Sequence, residues 1–173
     1  MKKYRLSIGV LSILIALLYL FFDVVPFILL HNYHEIICVA PVYLKTSISS
    51  WLVSSLLMFG GVLLLYKNRF SQDLYGLFGI SIFIEVYTQI IYFHTETILI
   101  DYYLIPSLSL GVSSLLLGLF ALLIVSSEKW KNRLGWDKKV SLKVWFIYLL
   151  VSFLISGLPR LILEYPAYYV NPY

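Results

Sequence analysis

Cysteine is almost absent from this chain of 173 residues, and charged residues make up only 13% of it. The single cysteine, Cys38, excludes an internal disulfide, a CxxC redox pair and a cluster of thiolate ligands. No HExxH motif occurs, so the zinc-protease signature is missing as well. These absences leave no motif that assigns a function by itself.

Apolar residues are what the chain has in abundance. They make up 61% of it, and the mean hydropathy is +0.88, so a soluble domain of this length could not bury them all. Five apolar runs of about 20 residues or more can each cross ~30 Å of hydrocarbon. They are residues 6–30, 48–66, 74–93, 104–125 and 142–163. The sequence therefore predicts an all-α, polytopic membrane helix bundle of five transmembrane helices, with residues 1–173 as one membrane domain.

Basic residues sort to one side of this predicted bundle. With alternate threading, only Lys45 and Arg160 fall on the other side. The positive-inside rule then predicts a cytoplasmic N-terminus and an extracytoplasmic C-terminus. The first run is too long for a signal-peptide core, so we expect it to remain as a helix. The eleven residues on the basic side are Lys2, Lys3, Arg5, Lys67, Arg69, Lys129, Lys131, Arg133, Lys138, Lys139 and Lys143.

The net charge of +4 has a membrane explanation as well. Short basic loops facing an anionic cytoplasmic leaflet account for it, so nucleic acid is not an expected partner. In the longest of these loops, Trp130 and Trp136 are expected to be interfacial anchors.

Glu85 is the clearest candidate for a functional residue, since a charged group near the middle of a membrane helix costs at least ~2.5 kcal/mol. It shares a helix face with Ser81, Gln89, Tyr92 and Glu96, which follow one another at steps of three or four residues. Lipid cannot solvate this stripe, so it must face the bundle interior or a wet cavity. One interpretation is ligand or proton binding; the other is a neutral Glu85 that holds the helices together by a hydrogen bond.

Two other ionisable groups lie within the apolar runs. Asp23 and Arg160 fall at a similar depth in the outer third of the predicted bundle, so an ion pair between them is geometrically possible. We expect this pair near the mouth of a cavity lined by Glu85, Gln89 and Tyr92.

All three histidines fall in the predicted outer loops. His31 and His34 are three residues apart, and His94 or Glu96 could supply a further ligand to a metal site. Interfacial polar residues without a metal are the alternative.

Small residues recur at helical spacing in the predicted helices. Gly111, Ser114 and Gly118 share one face of helix four, and Ser152 and Ser156 share one face of helix five. Such faces allow helices to approach closely. They predict either packing within the bundle or docking of a membrane-protein partner.

Three functions are compatible with these features. The leading hypothesis is that a small ligand or ion is bound or translocated through an outward-facing polar cavity, with a proton link through Glu85. The alternative is a non-catalytic subunit or assembly partner of a larger membrane complex. The third is a membrane-embedded enzyme with an extracytoplasmic metal or acid–base site, and the sequence favours the non-enzymatic hypotheses. No cofactor is indicated. Short loops rich in Lys favour the plasma membrane of a bacterium as the location.

Overall fold

A computed structural model of the chain describes the backbone of residues 2–32, 40–95, 100–136 and 139–158. Its side chains are described over residues 3–21, 51–87, 112–136 and 139–158. Within these ranges the chain forms helices joined by short turns, and no strand occurs. The all-α class predicted from the apolar runs is confirmed.

Six helices lie within the described ranges, and the last of them changes to a wider, π-helical turn. They are α1 (Lys2–Asn32), α2 (Ala40–Leu65), α3 (Phe70–Thr95), α4 (Ile100–Ser126), α5 (Glu128–Leu134) and α6 (Leu142–Ser152), which continues as the π-helical segment Phe153–Gly157. The short α5 forms in the segment expected to be a loop. Glu128 in its first turn and Arg133 in its last turn complement the helix dipole, and Gly135 ends it in the left-handed conformation.

Helix α3 is the centre of the arrangement. It contacts α2, α4 and α6, whereas α1 packs mainly on α2 and α5 contacts both α1 and α4. Phe78 of α3, Leu64 of α2 and Ile124 of α4 are each 2% exposed or less, so the apolar core lies where these three helices meet. The residues that surround α3 therefore come from segments both before and after it in the sequence.

A tight turn joins α2 to α3 and sets them antiparallel. The amides of Lys67 and Asn68 donate to Leu64 O and Leu63 O, at 3.1 and 2.9 Å, and Lys67 takes the left-handed conformation with φ 58°. This is the Schellman pattern, in which glycine is the usual residue at the left-handed position. Asn68 then caps α3, because its Oδ1 accepts from the Phe70 amide at 2.9 Å.

Glycines bring two helix pairs into close contact. A Cβ on Gly61 of α2 would lie 2.8 Å from the Gly9 carbonyl oxygen of α1. A Cβ on Gly79 of α3 would lie 2.7 Å from the Leu122 side chain and 3.1 Å from the Gly118 carbonyl oxygen of α4. These distances leave no room for a side chain, so the α1–α2 and α3–α4 pairs depend on glycine at the crossing.

Large apolar side chains also cover the outside of the helices. Leu14 and Leu17 on α1, Leu116 and Leu123 on α4, and Phe146 on α6 are each between 49% and 62% exposed. Within the described side chains, Lys3–Phe21 is the one helical stretch long and apolar enough to cross a membrane, with a mean hydropathy of 2.0. A second exists there if Val112–Ser126 and Glu128–Leu134, bent by 82°, are counted as one span.

The neighbouring glycines of α2 give a matched test of this packing. We expect Gly61→Ala to lower the free energy of unfolding by about 1–2 kcal/mol, because the Gly9 backbone must move away from the added methyl group. Gly60→Ala meets its nearest atom at 3.4 Å and should be neutral or stabilising by up to about 1 kcal/mol through helix propensity. Unfolding of the purified protein by sodium dodecyl sulfate in mixed micelles measures both. Equal effects of the two substitutions would contradict the close α1–α2 contact.

Candidate functional site

Polar contacts gather at the end of the bundle that carries the start of α1, the α2–α3 turn, α5 and the start of α6, which we call the basic end. The Arg5 guanidinium donates from Nε and Nη2 to Leu134 O, at 3.0 and 2.8 Å, so α1 holds the C-terminus of α5. The Arg133 guanidinium lies over the rings of Tyr4 and Trp130, at 4.9 and 5.3 Å from their centres. These contacts close α5 against α1.

Trp136 joins this end to the centre of the bundle. Its Nε1–H donates to Ser71 Oγ at 2.8 Å, and its ring packs on Tyr75 at 5.7 Å between centres. The Tyr75 hydroxyl in turn makes a 2.5 Å hydrogen bond with Ser12 Oγ of α1. Trp136 is only 4% exposed, so the expectation that it lies at the lipid interface is wrong. Its ring and its N–H instead contact Tyr75 and Ser71 inside the bundle, at the basic end.

Helix α6 runs parallel to α3, as two successive contacts show. The Tyr148 hydroxyl donates to Asp73 Oδ1, and one turn later Ser152 Oγ donates to Leu77 O at 3.1 Å. Beyond this point Ser81 follows Leu77 by one turn of α3, and Ser156 follows Ser152 within the π-helical segment that also contacts α3, so the two serines lie at a similar level. The register of α6 on α3 is therefore fixed by side-chain hydrogen bonds.

Ser81 and Ser156 are fully buried, and their hydroxyls have no hydrogen-bond partner among the residues that the structure describes. Serines in this chain can bond back to their own helix, as Ser55 does to Trp51 O and Ser126 to Leu122 O, both at 2.7 Å. An unpaired buried hydroxyl costs about 1–3 kcal/mol. Within the described part of the chain, the burial of these two hydroxyls is therefore not compensated by a hydrogen bond.

Glu85 lies one turn beyond Ser81 on the same face of α3, and it is only 9% exposed. On α2, Gly60 lies beside Leu74 and Tyr75 of α3, and Trp51 precedes Gly60 by nine residues, or about 13 Å. Because α2 and α3 are antiparallel, Trp51 lies at a level similar to that of Glu85. Its indole N–H is buried and unpartnered within the described part of the chain. We call Trp51, Ser81, Glu85 and Ser156 the buried polar layer.

The wide turn of α6 lies at this layer. Ser156 belongs to the π-helical segment Phe153–Gly157, and a Cβ on Gly157 would lie 2.7 Å from the Phe153 ring. Gly157 therefore gives this ring the space that it occupies in the π-helical turn. Single π-helical turns inside α-helices are frequent at functional sites.

Two of the three small residues predicted as a partner-binding face have neighbours within the chain. Ser114 Oγ makes a 2.5 Å hydrogen bond with the Tyr19 hydroxyl of α1. A Cβ on Gly118 would lie 3.2 Å from Ile82 of α3. Gly111 lies in α4, in the part whose side chains fall outside the described residues.

The other predicted site residues also fall outside the described side chains. Asp23, His31, Gln89, Tyr92 and His94 lie within described helical backbone, whereas His34, Glu96 and Arg160 lie outside the described residues altogether. The metal site and the Asp23–Arg160 pair stay predictions. Within the described side chains there is no group of three His, Cys, Asp or Glu residues that could hold a metal ion.

Sequence reasoning missed the part played by Ser12, Tyr75 and Trp136 and the difference between Ser152 and Ser156. The two serines of α6 have the same spacing and the same chemistry, yet only Ser152 is bonded to the neighbouring helix among the described residues. A weak signal was present at Gly157, where glycine follows a serine inside an apolar run.

The hydrogen bond between Ser12 and Tyr75 gives a test of the closed basic end. We expect Ser12→Ala and Tyr75→Phe each to lower the free energy of unfolding by about 1 kcal/mol. Each substitution removes one of the two hydroxyls and leaves the other buried without its partner. The double variant should lose much less than the sum, with a coupling of about 0.5–1 kcal/mol. Ser126→Ala, whose exposed hydroxyl bonds only within α4, serves as the control. Strict additivity would show that α1 and α3 are not joined by this bond.

Comparison of the chain with protein-family models, with curated proteins and with solved structures finds no match. The basic end is closed, and beyond it lies a buried layer that combines a carboxyl group with serine hydroxyls that have no partner among the described residues.

Proposed function

We propose that this chain is a multi-pass membrane protein that binds or translocates a small polar ligand or ion at the buried polar layer. The observation that carries the proposal is that the fully buried hydroxyls of Ser81 and Ser156 have no hydrogen-bond partner among the described residues. The two serines lie at a similar level, and Glu85 lies one turn beyond Ser81 on α3. A polar ligand that donates and accepts hydrogen bonds would satisfy these groups.

The membrane part of the proposal is supported by helix length and surface. Helices α2, α3 and α4 have 26, 26 and 27 residues, and about 39 Å of helix is enough to cross the hydrocarbon core. The exposed leucines and phenylalanines of α1, α4 and α6 suit a lipid surround better than water. With α1, α2, α3, α4 and α6 as the five spans, the basic end is cytoplasmic by the positive-inside rule and the C-terminus is extracytoplasmic.

The chemistry of the layer favours a cationic or neutral ligand. The serine hydroxyls can both donate and accept hydrogen bonds, and the acidic side chain of Glu85 lies one turn from Ser81. The basic side chains that the structure describes belong to the ends of helices and to turns, as in Arg5, Arg69 and Lys139. A small amine or a cation with part of its water removed fits this combination. Gln89, Tyr92 and the Asp23–Arg160 pair are proposed to line the path from the layer to the outer surface.

Access is proposed from the side opposite the basic end. Between the layer and the basic end, Phe78, Leu64 and Ile124 fill the core, and Trp136 closes it beneath Tyr75. A ligand could cross this packed region only if helices separated. The arrangement thus supports a binding protein, or one state of a transporter, that opens to the outside.

Cysteine labelling tests this access without knowledge of the ligand. In a Cys38→Ser background, we expect Ser81→Cys and Ser156→Cys to react with a membrane-impermeant methanethiosulfonate added outside intact cells. Val125→Cys, equally buried but nearer the basic end, is the matched control and should stay unlabelled. Absence of reaction at both layer positions, or reaction from the cytoplasmic side alone, would contradict the outward-facing cavity.

The proton link of Glu85 has its own test. N,N′-Dicyclohexylcarbodiimide reacts with protonated carboxyl groups in apolar surroundings, so we expect an adduct on Glu85 by mass spectrometry. Its yield should fall as the pH is raised, because the carboxylate form does not react. Glu128, which is exposed, should give no adduct, and Glu85→Gln should remove the signal. A yield that is independent of pH would remove the proton link and leave the cysteine test unaffected.

A further inference from the structure

A second site lies at the basic end, apart from the buried polar layer. It is a surface pocket of about 370 Å³ lined by Lys3, Arg5 and Leu6 of α1 together with Leu65 and Lys67 at the end of α2. Three of these five residues are cationic, two are leucines and none is acidic. A site with this lining attracts an anion that carries an apolar portion.

The fold fixes the guanidinium of Arg5 and the backbone of Lys67. Arg5 donates to Leu134 O with two of its five N–H groups, which fixes the guanidinium at the pocket. Lys67 occupies the left-handed position of the α2–α3 turn, where glycine is the usual residue. The backbone of this turn does not require a lysine, and the Lys67 side chain lines the pocket.

An apolar stripe starts at the pocket and continues along α1. Its members follow one another at steps of four, four, three and four residues, so they share one face of the helix. Each of them is between 42% and 61% exposed. They are Leu6, Val10, Leu14, Leu17 and Phe21.

We propose that this pocket binds the headgroup of an anionic phospholipid, whose acyl chain lies along the α1 stripe. The phosphate group meets Lys3, Arg5 and Lys67, and Leu6 and Leu65 contact the glycerol and the start of the chain. The proposal depends on the membrane placement given above but not on the polar layer. A free phosphate matches the three cations equally well, but it has no apolar part that could contact the leucines and the stripe.

The test compares two lipids on the purified full-length protein in dodecyl maltoside micelles. Phosphatidylglycerol or phosphatidylcholine is titrated in, and retained lipid is measured by native mass spectrometry. We expect preferential retention of phosphatidylglycerol, lowered at least about tenfold in Lys3→Gln/Lys67→Gln relative to Lys129→Gln/Lys139→Gln. The control pair removes the same charge from exposed lysines of the basic end that do not line the pocket.

Each other outcome overturns the proposal. An equal loss in the two double variants would mean general attraction to a basic surface, and equal retention of the two lipids would mean apolar contact alone. Inorganic phosphate that binds as tightly as phosphatidylglycerol would make the pocket a phosphate site.

Lys67→Gly distinguishes loss of the cation from loss of the fold. It removes the cation and places glycine, the favoured residue, at the left-handed position of the turn. It should weaken lipid retention without lowering the unfolding midpoint, and retention unchanged from the unsubstituted protein would contradict the role of Lys67.

Discussion

Close contact between helix backbones at glycine is the constraint on which the rest of this structure depends. At Gly9–Gly61 and at Gly79–Gly118 a carbonyl oxygen of one helix occupies the place where a side chain of the other would lie. If the helices lie in lipid, as proposed, there is little hydrophobic drive for them to associate, and van der Waals packing of this kind would supply much of the stabilisation. The short separation also brings side chains within reach of one another across helices, as in the bonds of Ser12 with Tyr75 and of Tyr19 with Ser114.

Buried polar groups in two parts of the bundle differ in whether they have a hydrogen-bond partner among the described residues. At the basic end, Trp136, Ser71 and Tyr75 are buried and each has a hydrogen-bond partner. One or two turns further along α3, the hydroxyls of Ser81 and Ser156 are buried just as deeply without one among the described residues. A protein that needed only a stable bundle would gain from alanine at both positions, because alanine buries no polar atom. Because of this contrast, the basic end is interpreted as stabilising the fold and the polar layer is the part proposed to bind a ligand.

The helices themselves could be predicted because their signal is local. Apolar runs of the right length predicted the all-α class and the helical segments, and the spacing of Ser81 and Glu85 predicted that they share a face. Contacts between distant segments could not be predicted in this way. Trp136 has the sequence context of an interfacial anchor, and its burial depends on Ser71 and Tyr75, which lie more than sixty residues away. Likewise, Ser152 and Ser156 look alike in sequence, and only the parallel register of α6 on α3 distinguishes them.

Glu85 can be interpreted in two ways, as a structural tie between helices or as part of a binding site, and its neighbours favour the second. If the layer served only to hold helices together, its hydroxyls would bond across an interface, as Ser152 does, or back to their own helix, as Ser55 does. Ser81 and Ser156 do neither within the described structure, although both lie in helices where such bonds form one turn away. The two serine hydroxyls beside Glu85 are therefore what favours a binding site, since buried polar atoms are mostly satisfied in stable proteins.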